Sequence, residues 1–170
     1  MLCVTMDALV RIEPMTEADV ETVAAMDGPT RMTQANVRDE LQRPWSRLWV
    51  AREAGNGGAV VAFLVAWHVS DELHVLNVAT RVDRRRQGIG RAVMSEAVAY
   101  GKRNAVRHLL LEVRRSNRAA IAMYRGIGFF AMGVRSKYYP DDEDAVEMVL
   151  ALDPATGAIV PRPDQIRLDG

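Results

Sequence analysis

Apolar and polar positions alternate where the chain first becomes readable. Ala8–Pro14 (ALVRIEP) has the two-residue period of a half-buried strand. Thr16 then offers an N-cap, with Glu17 and Asp19 in the first turn. This predicts a helix over Thr16–Met26, stopped by Asp27-Gly28-Pro29. Thr33 opens a second helical stretch, TQANVRDELQR, which ends before Pro44 because a residue preceding proline is pushed out of helical geometry. Ser46–Glu53 and Ala59–Ser70 read as strands, joined by the hairpin turn Ala54-Gly55-Asn56-Gly57-Gly58. Asp71-Glu72 turns the chain again, and Leu73–Thr80 (LHVLNVAT) is the next strand.

The period changes after Thr80. In Ile89–Arg103 (IGRAVMSEAVAYGKR), Val93, Ala97 and Val98 recur at helical spacing. His108–Val113 (HLLLEV) is mostly apolar, as a buried strand is. Asn117–Gly126 (NRAAIAMYRG) predicts a helix closed by Gly126 or Gly128. Phe129–Arg135 and Ala145–Leu152 form a closing pair of strands, connected through KYYPDDED. The order is strand, two helices, three strands, helix, strand, helix, two strands. It predicts a mixed α/β (α+β) domain with helices against a largely antiparallel sheet. Leu152–Gly170 carries three prolines and little periodicity, so 1–152 reads as one domain and 153–170 as a tail.

Composition adds boundaries. A chain of 170 residues, 49% hydrophobic and 26% charged, suits a single globular domain with a sizeable core. Its 22 basic and 22 acidic residues cancel, so no general affinity for nucleic acid or an anionic membrane is implied. Any anion site must be local. Cys3, the only cysteine, forms neither an internal disulfide nor a cysteine zinc site. His68, His74 and His108 lack metal-ligand spacing, so no metal is expected. No apolar stretch approaches bilayer length. The start, MLCVTMDALVR, lacks the basic region and apolar run of a signal peptide, and a cytoplasmic location is expected.

One stretch breaks the charge balance. Between Arg84 and Arg91 the chain reads RRRQGIGR, at a strand-to-helix junction. A solvated charge run explains it without function. An anion site explains it too: the first N–H groups of a helix lack internal partners, the helix dipole adds positive charge, and glycine lets a phosphate approach the backbone. The stretch is neither a P-loop, since the Lys-Ser/Thr pair is missing, nor a dinucleotide fingerprint, which needs Gly-x-Gly-x-x-Gly.

Together with the downstream segments LLLEVRRSNRAAIAMYRGIGF and KYYPDDEDAVEMVLAL, this stretch resembles the GNAT acetyltransferases. Their acetyl-CoA motif, Gln/Arg-x-x-Gly-x-Gly/Ala, is matched by Arg85-Arg86-Gln87-Gly88-Ile89-Gly90. The likeness spans Leu73 to Leu152 and is nearest to the RimI-like branch, which acetylates the N-terminus of a ribosomal protein. It implies the GNAT fold: a mostly antiparallel sheet of seven strands flanked by four helices, with a V-shaped splay between central strands. It implies acetyl-CoA as co-substrate and a protein N-terminus as acceptor. Arg85, Arg86, Gln87, Gly88, Ile89, Gly90 and Arg91 would wrap the CoA pyrophosphate. Val78, Ala79 and Thr80 would bind the acetyl group and pantetheine arm through the main chain, and Asn117 would reach the pantetheine.

Acetyl transfer needs a deprotonated amine, a stabilised oxyanion and a proton for the leaving thiolate. Glu112, near the end of an apolar strand, is either salt-bridged to Arg114 or Arg86 or placed in a cleft. Tyr124, on one helical face with Asn117, Ala120 and Ile121, is either a core tyrosine or an acid. The resemblance assigns Glu112 as proton acceptor and Tyr124 as proton donor, with the Val78 N–H polarising the acetyl carbonyl. Tyr138 and Tyr139 are turn packing by themselves; the resemblance makes them walls of the peptide channel. The acidic run Asp141–Asp144 reads as a solvated turn, or as an attractor of a basic peptide.

Two departures touch the acceptor side and the loop. Thr80-Arg81-Val82 lacks the proline usual in the family, and Met26–Arg31 lacks the Phe-Pro-Trp-Ser-like sequence of RimI proteins. Three alternatives therefore stand beside N-terminal acetylation: a lysine side chain as acceptor, a small amine as acceptor, or a non-catalytic acetyl-CoA-binding module.

Overall fold

The computed structural model describes residues 9–168 apart from Asp27 and Pro29, and Asn56 by its backbone alone. Cys3, Ala8, Asp27, Pro29 and the last two residues of the tail lie outside the described residues. Seven strands pair in the order β1-β2-β3-β4-β5-β7-β6. They are β1 (Val10–Pro14), β2 (Ser46–Glu53), β3 (Val60–Val69), β4 (Glu72–Thr80), β5 (His108–Arg114), β6 (Phe130–Arg135) and β7 (Ala145–Ala151). The α-helices are α1 (Val20–Ala25), α2 (Gln34–Gln42), α3 (Ile89–Arg103) and α4 (Arg118–Ile127). β4 and β5 run parallel; β1–β2, β2–β3, β5–β7 and β6–β7 are antiparallel. The parallel pairing runs from Glu72–His108 to Val75–Leu111.

The chain divides into two compact units, residues 1–68 with 76–97, and residues 69–75 with 98–170. In the first unit, Val20 and Val23 of α1 and Val37 of α2 pack with Leu48, Val50, Phe63 and Val65 of β2 and β3. Val10, Ala51 and Val61 form a separate cluster with Ile89. The helix expected over Thr16–Met26 is divided: a 3-10 turn, Glu17–Asp19, precedes α1. Within it the Asp19 carboxylate accepts from the Thr16 N–H at 2.9 Å and is paired at 2.6 Å with Arg52. Thr33 caps α2 as expected, accepting from the Asn36 N–H at 3.1 Å.

In the second unit, alternate residues Leu109, Leu111 and Val113 of β5 are buried, as are Ile121 and Tyr124 of α4. Gly101 is needed at its position, since a Cβ there would lie 3.2 Å from both Leu109 and Leu152. The tail is docked. Leu152 bridges Ile159, and the Val160 N–H donates to Ala151 at 2.8 Å. Asp164 accepts from the Ala131 N–H at 2.8 Å and pairs with Arg125, while the Gln165 N–H donates to the Ala131 carbonyl at 2.8 Å. Among the described residues no helix is long and apolar enough to cross a membrane.

Candidate active site

The arginine-glycine loop belongs to the first unit. Arg81 leaves β4 with its N–H donated to Val61 at 2.8 Å, and a 3-10 turn, Val82–Arg84, follows. The first two arginines are occupied: Arg81 binds Asp83 at 2.6 Å, and Arg84 pairs with Glu53 and Asp83. The Arg81 hydrogen bond holds the Asp83 carboxyl below the usual carboxylate range. Arg85 folds back, its Nε donating to the Thr80 carbonyl at 3.2 Å, which joins two of the expected site residues. Arg85, Arg86, Gln87 and Arg91 are exposed.

The backbone then takes two left-handed residues, Arg86 at φ 60° and Gly88 at φ 79°. Such residues curve successive N–H groups into a concavity suited to an anion. At Arg86 this geometry costs about 1–2 kcal/mol, which a side chain other than glycine must offset elsewhere. Gly88 accepts the first helical bond, from Ala92 at 3.0 Å. The N–H groups of Ile89 and Gly90 therefore precede the helical ladder. The cap residue has no side chain to satisfy them, and the first turn of α3 holds no acidic residue. Ile89 is 4% exposed and packs with Val10, Ala51 and Val61, so its contribution to a ligand is its N–H alone. This donor set fits a pyrophosphate.

Val78 and Thr80 are half-buried and Ala79 is buried on β4. The loop between α1 and α2 presses on this strand. A Cβ on Gly28 would lie 3.0 Å from the Ala79 Cβ and 3.3 Å from Asn77 Oδ1. Asn77 Nδ2 donates to the Thr30 carbonyl at 2.7 Å, while its buried Oδ1 has no partner. Sequence reading passed over Asn77, although a buried polar residue between apolar ones in LNVAT is a visible signal.

Glu112, Asn117, Tyr124, Tyr138 and Tyr139 all belong to the second unit. Glu112 projects from β5 with its side chain 27% exposed. Its ion pair is with Arg135, at 3.2 Å, and not with Arg114 or Arg86. The reason is competition: Arg114 is drawn to Asp141 and Glu143, at 2.9 and 2.8 Å, and lies 4.1 Å over the Tyr139 ring. Arg135, on β6, stands opposite Ala145 and reaches Glu112 across β7. A hydrogen bond to Glu112 and partial burial raise the Tyr138 phenol. Tyr138 and Tyr139 meet edge-on with centroids 5.1 Å apart.

Asn117 caps α4, its Oδ1 accepting from the Ala120 N–H at 3.1 Å, which leaves Nδ2 as a donor. Tyr124 is 8% exposed and tilted against Phe129 at 5.7 Å. Burial, with a smaller contribution from Tyr139, pushes its phenol up to about 12. Tyr124 is thus a core tyrosine by packing, and one that keeps its proton throughout the neutral range. Tyr139 is half-buried, and burial raises it while Arg114 acts in the opposite sense. The acidic run is mostly consumed: Glu143 accepts from the Ser116 N–H at 2.9 Å, and Asp144 accepts from the Lys137 N–H at 2.9 Å. Two residues missed in the sequence join Glu112 here, Arg135 and Glu147. Glu147 carries the signal that had marked Glu112, a carboxylate inside an apolar strand, AVEMVLA.

Comparison with known proteins shows the family of the chain. Residues 13–129 match the acetyltransferase (GNAT) family. The [ribosomal protein bS18]-alanine N-acetyltransferase of Escherichia coli K12 is 36% identical over 121 residues, covering 64% of this chain and 82% of that protein. The N-alpha-acetyltransferase RimI of Mycobacterium tuberculosis H37Rv is 30% identical over 141 residues, covering 76% and 84%. The crystal structure of the Escherichia coli ribosomal-protein-S18-alanine N-acetyltransferase superposes with a TM-score of 0.75 at 29% identity, covering 84% of this chain and 94% of that one. With the fold, the helix-capping glycine loop and these relatives in agreement, the chain belongs to the GNAT family and is an acetyl-CoA-dependent N-acetyltransferase.

Proposed function

We propose that this enzyme acetylates the N-terminal α-amine of a protein, with Glu112 as proton acceptor and Tyr124 as proton donor. Residues 1–152 form the acetyltransferase domain, and 153–170 are its appended tail. The pyrophosphate is assigned to Arg85, Arg86, Gln87, Gly88, Ile89, Gly90 and Arg91. Val78, Ala79 and Thr80 take the acetyl and pantetheine groups, and Asn117 donates to the pantetheine. Glu112 carries the reading: it is a partly exposed carboxylate among buried neighbours, charge-paired with Arg135 and near enough to Tyr138 to raise its phenol. Support for the acceptor class comes from relatives named for alanine N-acetylation at 36% identity. A ribosomal protein is the acceptor this suggests.

In the reaction, the amine loses a proton to Glu112 and its nitrogen attacks the thioester carbonyl. The N–C bond forms and the C–S bond breaks, and the second proton of the nitrogen leaves to solvent. The Val78 N–H donates to the carbonyl oxygen as charge gathers there. The Tyr124 hydroxyl donates to the departing thiolate. An α-amine titrates near ~8, against roughly 10.4 for lysine, so a carboxylate is a sufficient base for an N-terminus. Tyr138 and Tyr139 position the peptide.

The test is incubation with acetyl-CoA and a library of lysine-free peptides with free N-termini, read by mass spectrometry. Acetylated N-termini with a residue preference are expected. Silence, with acetyl-CoA binding intact, would move the acceptor to a lysine side chain or a small amine.

A further inference from the structure

Glu112 and Glu147 stand directly opposite each other on the antiparallel strands β5 and β7. Like charges at such positions repel and destabilise the pair. A guanidinium relieves this. Arg135 Nε donates to Glu147 Oε1 at 2.7 Å, and its Nη1 lies 3.2 Å from Glu112 Oε1. The bond to Glu147 is the shorter of the two and the first cause of the raised Arg135 titration, with Glu112 second. β6 supplies both parts of this seat. Gly133 leaves room for the Glu147 carboxylate, which a Cβ there would approach to 2.8 Å, and Arg135 lies two residues on, on the same strand face.

We infer that Glu147 is a positioning residue of the acyl-transfer site: it holds the guanidinium of Arg135, so that Glu112 keeps its negative charge for the ammonium of the acceptor. The inference rests on the reading of Glu112 as the acceptor-side base. Two carboxylates against one guanidinium leave this cluster with a surplus negative charge. A protonated primary amine meets that surplus. Were Glu147 neutral, Arg135 and Glu112 would cancel, and the incoming ammonium would face a guanidinium of its own sign. All three side chains are accessible, at 27%, 34% and 54% exposure for Glu112, Glu147 and Arg135, so an acceptor can reach them.

The test compares Glu147→Gln, Arg135→Gln and the double variant, using an alanine-led, lysine-free peptide with a free N-terminus. Glu147→Gln is expected to raise the peptide KM by about fivefold, the scale of an accessible charge pair, with kcat and the acetyl-CoA Kd little changed. In the Arg135→Gln background the same substitution should have no further effect on KM. An unchanged KM, or effects of the two substitutions that multiply independently, overturns the inference. A crystal structure of Glu147→Gln gives a readout that needs no acceptor: Arg135 should turn to Glu112 with two hydrogen bonds, and a guanidinium that stays in place counts against the idea. Failure of the base reading is separate, since it appears as unimpaired kcat in Glu112→Gln.

Discussion

In the loop before α3, the donors offered to a ligand are backbone N–H groups, and side-chain arginines surround them. On the β5–β7 face the backbone is consumed by the sheet ladder, and the groups available to the proposed chemistry are side chains: Glu112, Arg135, Glu147 and Tyr138. The loop depends on one conformation, set by Gly88 at φ 79° and anchored by buried Ile89. The sheet face depends on register, which sets Glu112 opposite Glu147 and Arg135 opposite Ala145. A backbone site tolerates few substitutions at its hinge residues but many around them. A side-chain site should respond to each member separately and in graded fashion.

The largest effect is expected in the loop. Gly88→Asp strains a left-handed position and sets a carboxylate at the mouth of the anion site. Acetyl-CoA binding by calorimetry should fall below detection; normal binding would remove the pyrophosphate from this loop. Next comes Glu112→Gln, for which kcat should drop about 10²–10⁴-fold, the range for general-base loss, with acetyl-CoA affinity retained. Equal losses in binding and turnover would make Glu112 a structural partner of Arg135.

Tyr124→Phe should lower kcat by about tenfold or more, as loss of a proton donor does. The same variant has a pH signature. The Tyr124 phenol is raised from 10.0 to about 12 in the folded chain. Its contribution to stability is therefore complete below pH ~10 and is lost as pH rises toward ~12, because the unfolded state ionises first. The phenylalanine variant should show a shallower alkaline decline in Tm than the parent. A matching decline would mean Tyr124 is less buried than its packing indicates. The smallest effect is expected at the tail. Asp164→Ala removes the acceptor of the Ala131 N–H and the partner of Arg125. A loss of about 1–3 kcal/mol, or several degrees in Tm, should follow with kcat unchanged. A catalytic defect there would give the tail a part in the reaction.

Most element boundaries were legible from periodicity. α3 spans Ile89–Arg103 as read, Thr33 caps α2, and Gly128, one of the two glycines proposed, ends α4. The start of α1 was not: its first turn is a 3-10 turn, in which Asp19 also holds Arg52 from far along the chain. The loop was legible for a physical reason: a left-handed residue directly before a helix favours glycine, as at Gly88, so part of its signature is local. Glu112 and Tyr124 could be named, but not their surroundings. Nothing along the chain states that Arg135 in place of Arg114 pairs with Glu112, or that Glu147 stands opposite it.

The amino-acid pattern alone determined that this chain orders its strands and helices as a mixed α/β domain, and that an arginine-rich, glycine-containing loop precedes α3. These follow from interactions within a few residues: period, caps and backbone conformation. Only the tertiary structure decided which charges meet, which tyrosine is buried deeply enough to hold its proton to about 12, and that the tail docks on Ala131 and Arg125. Those outcomes depend on strand register and on competition among side chains far apart in sequence, and no local pattern encodes either.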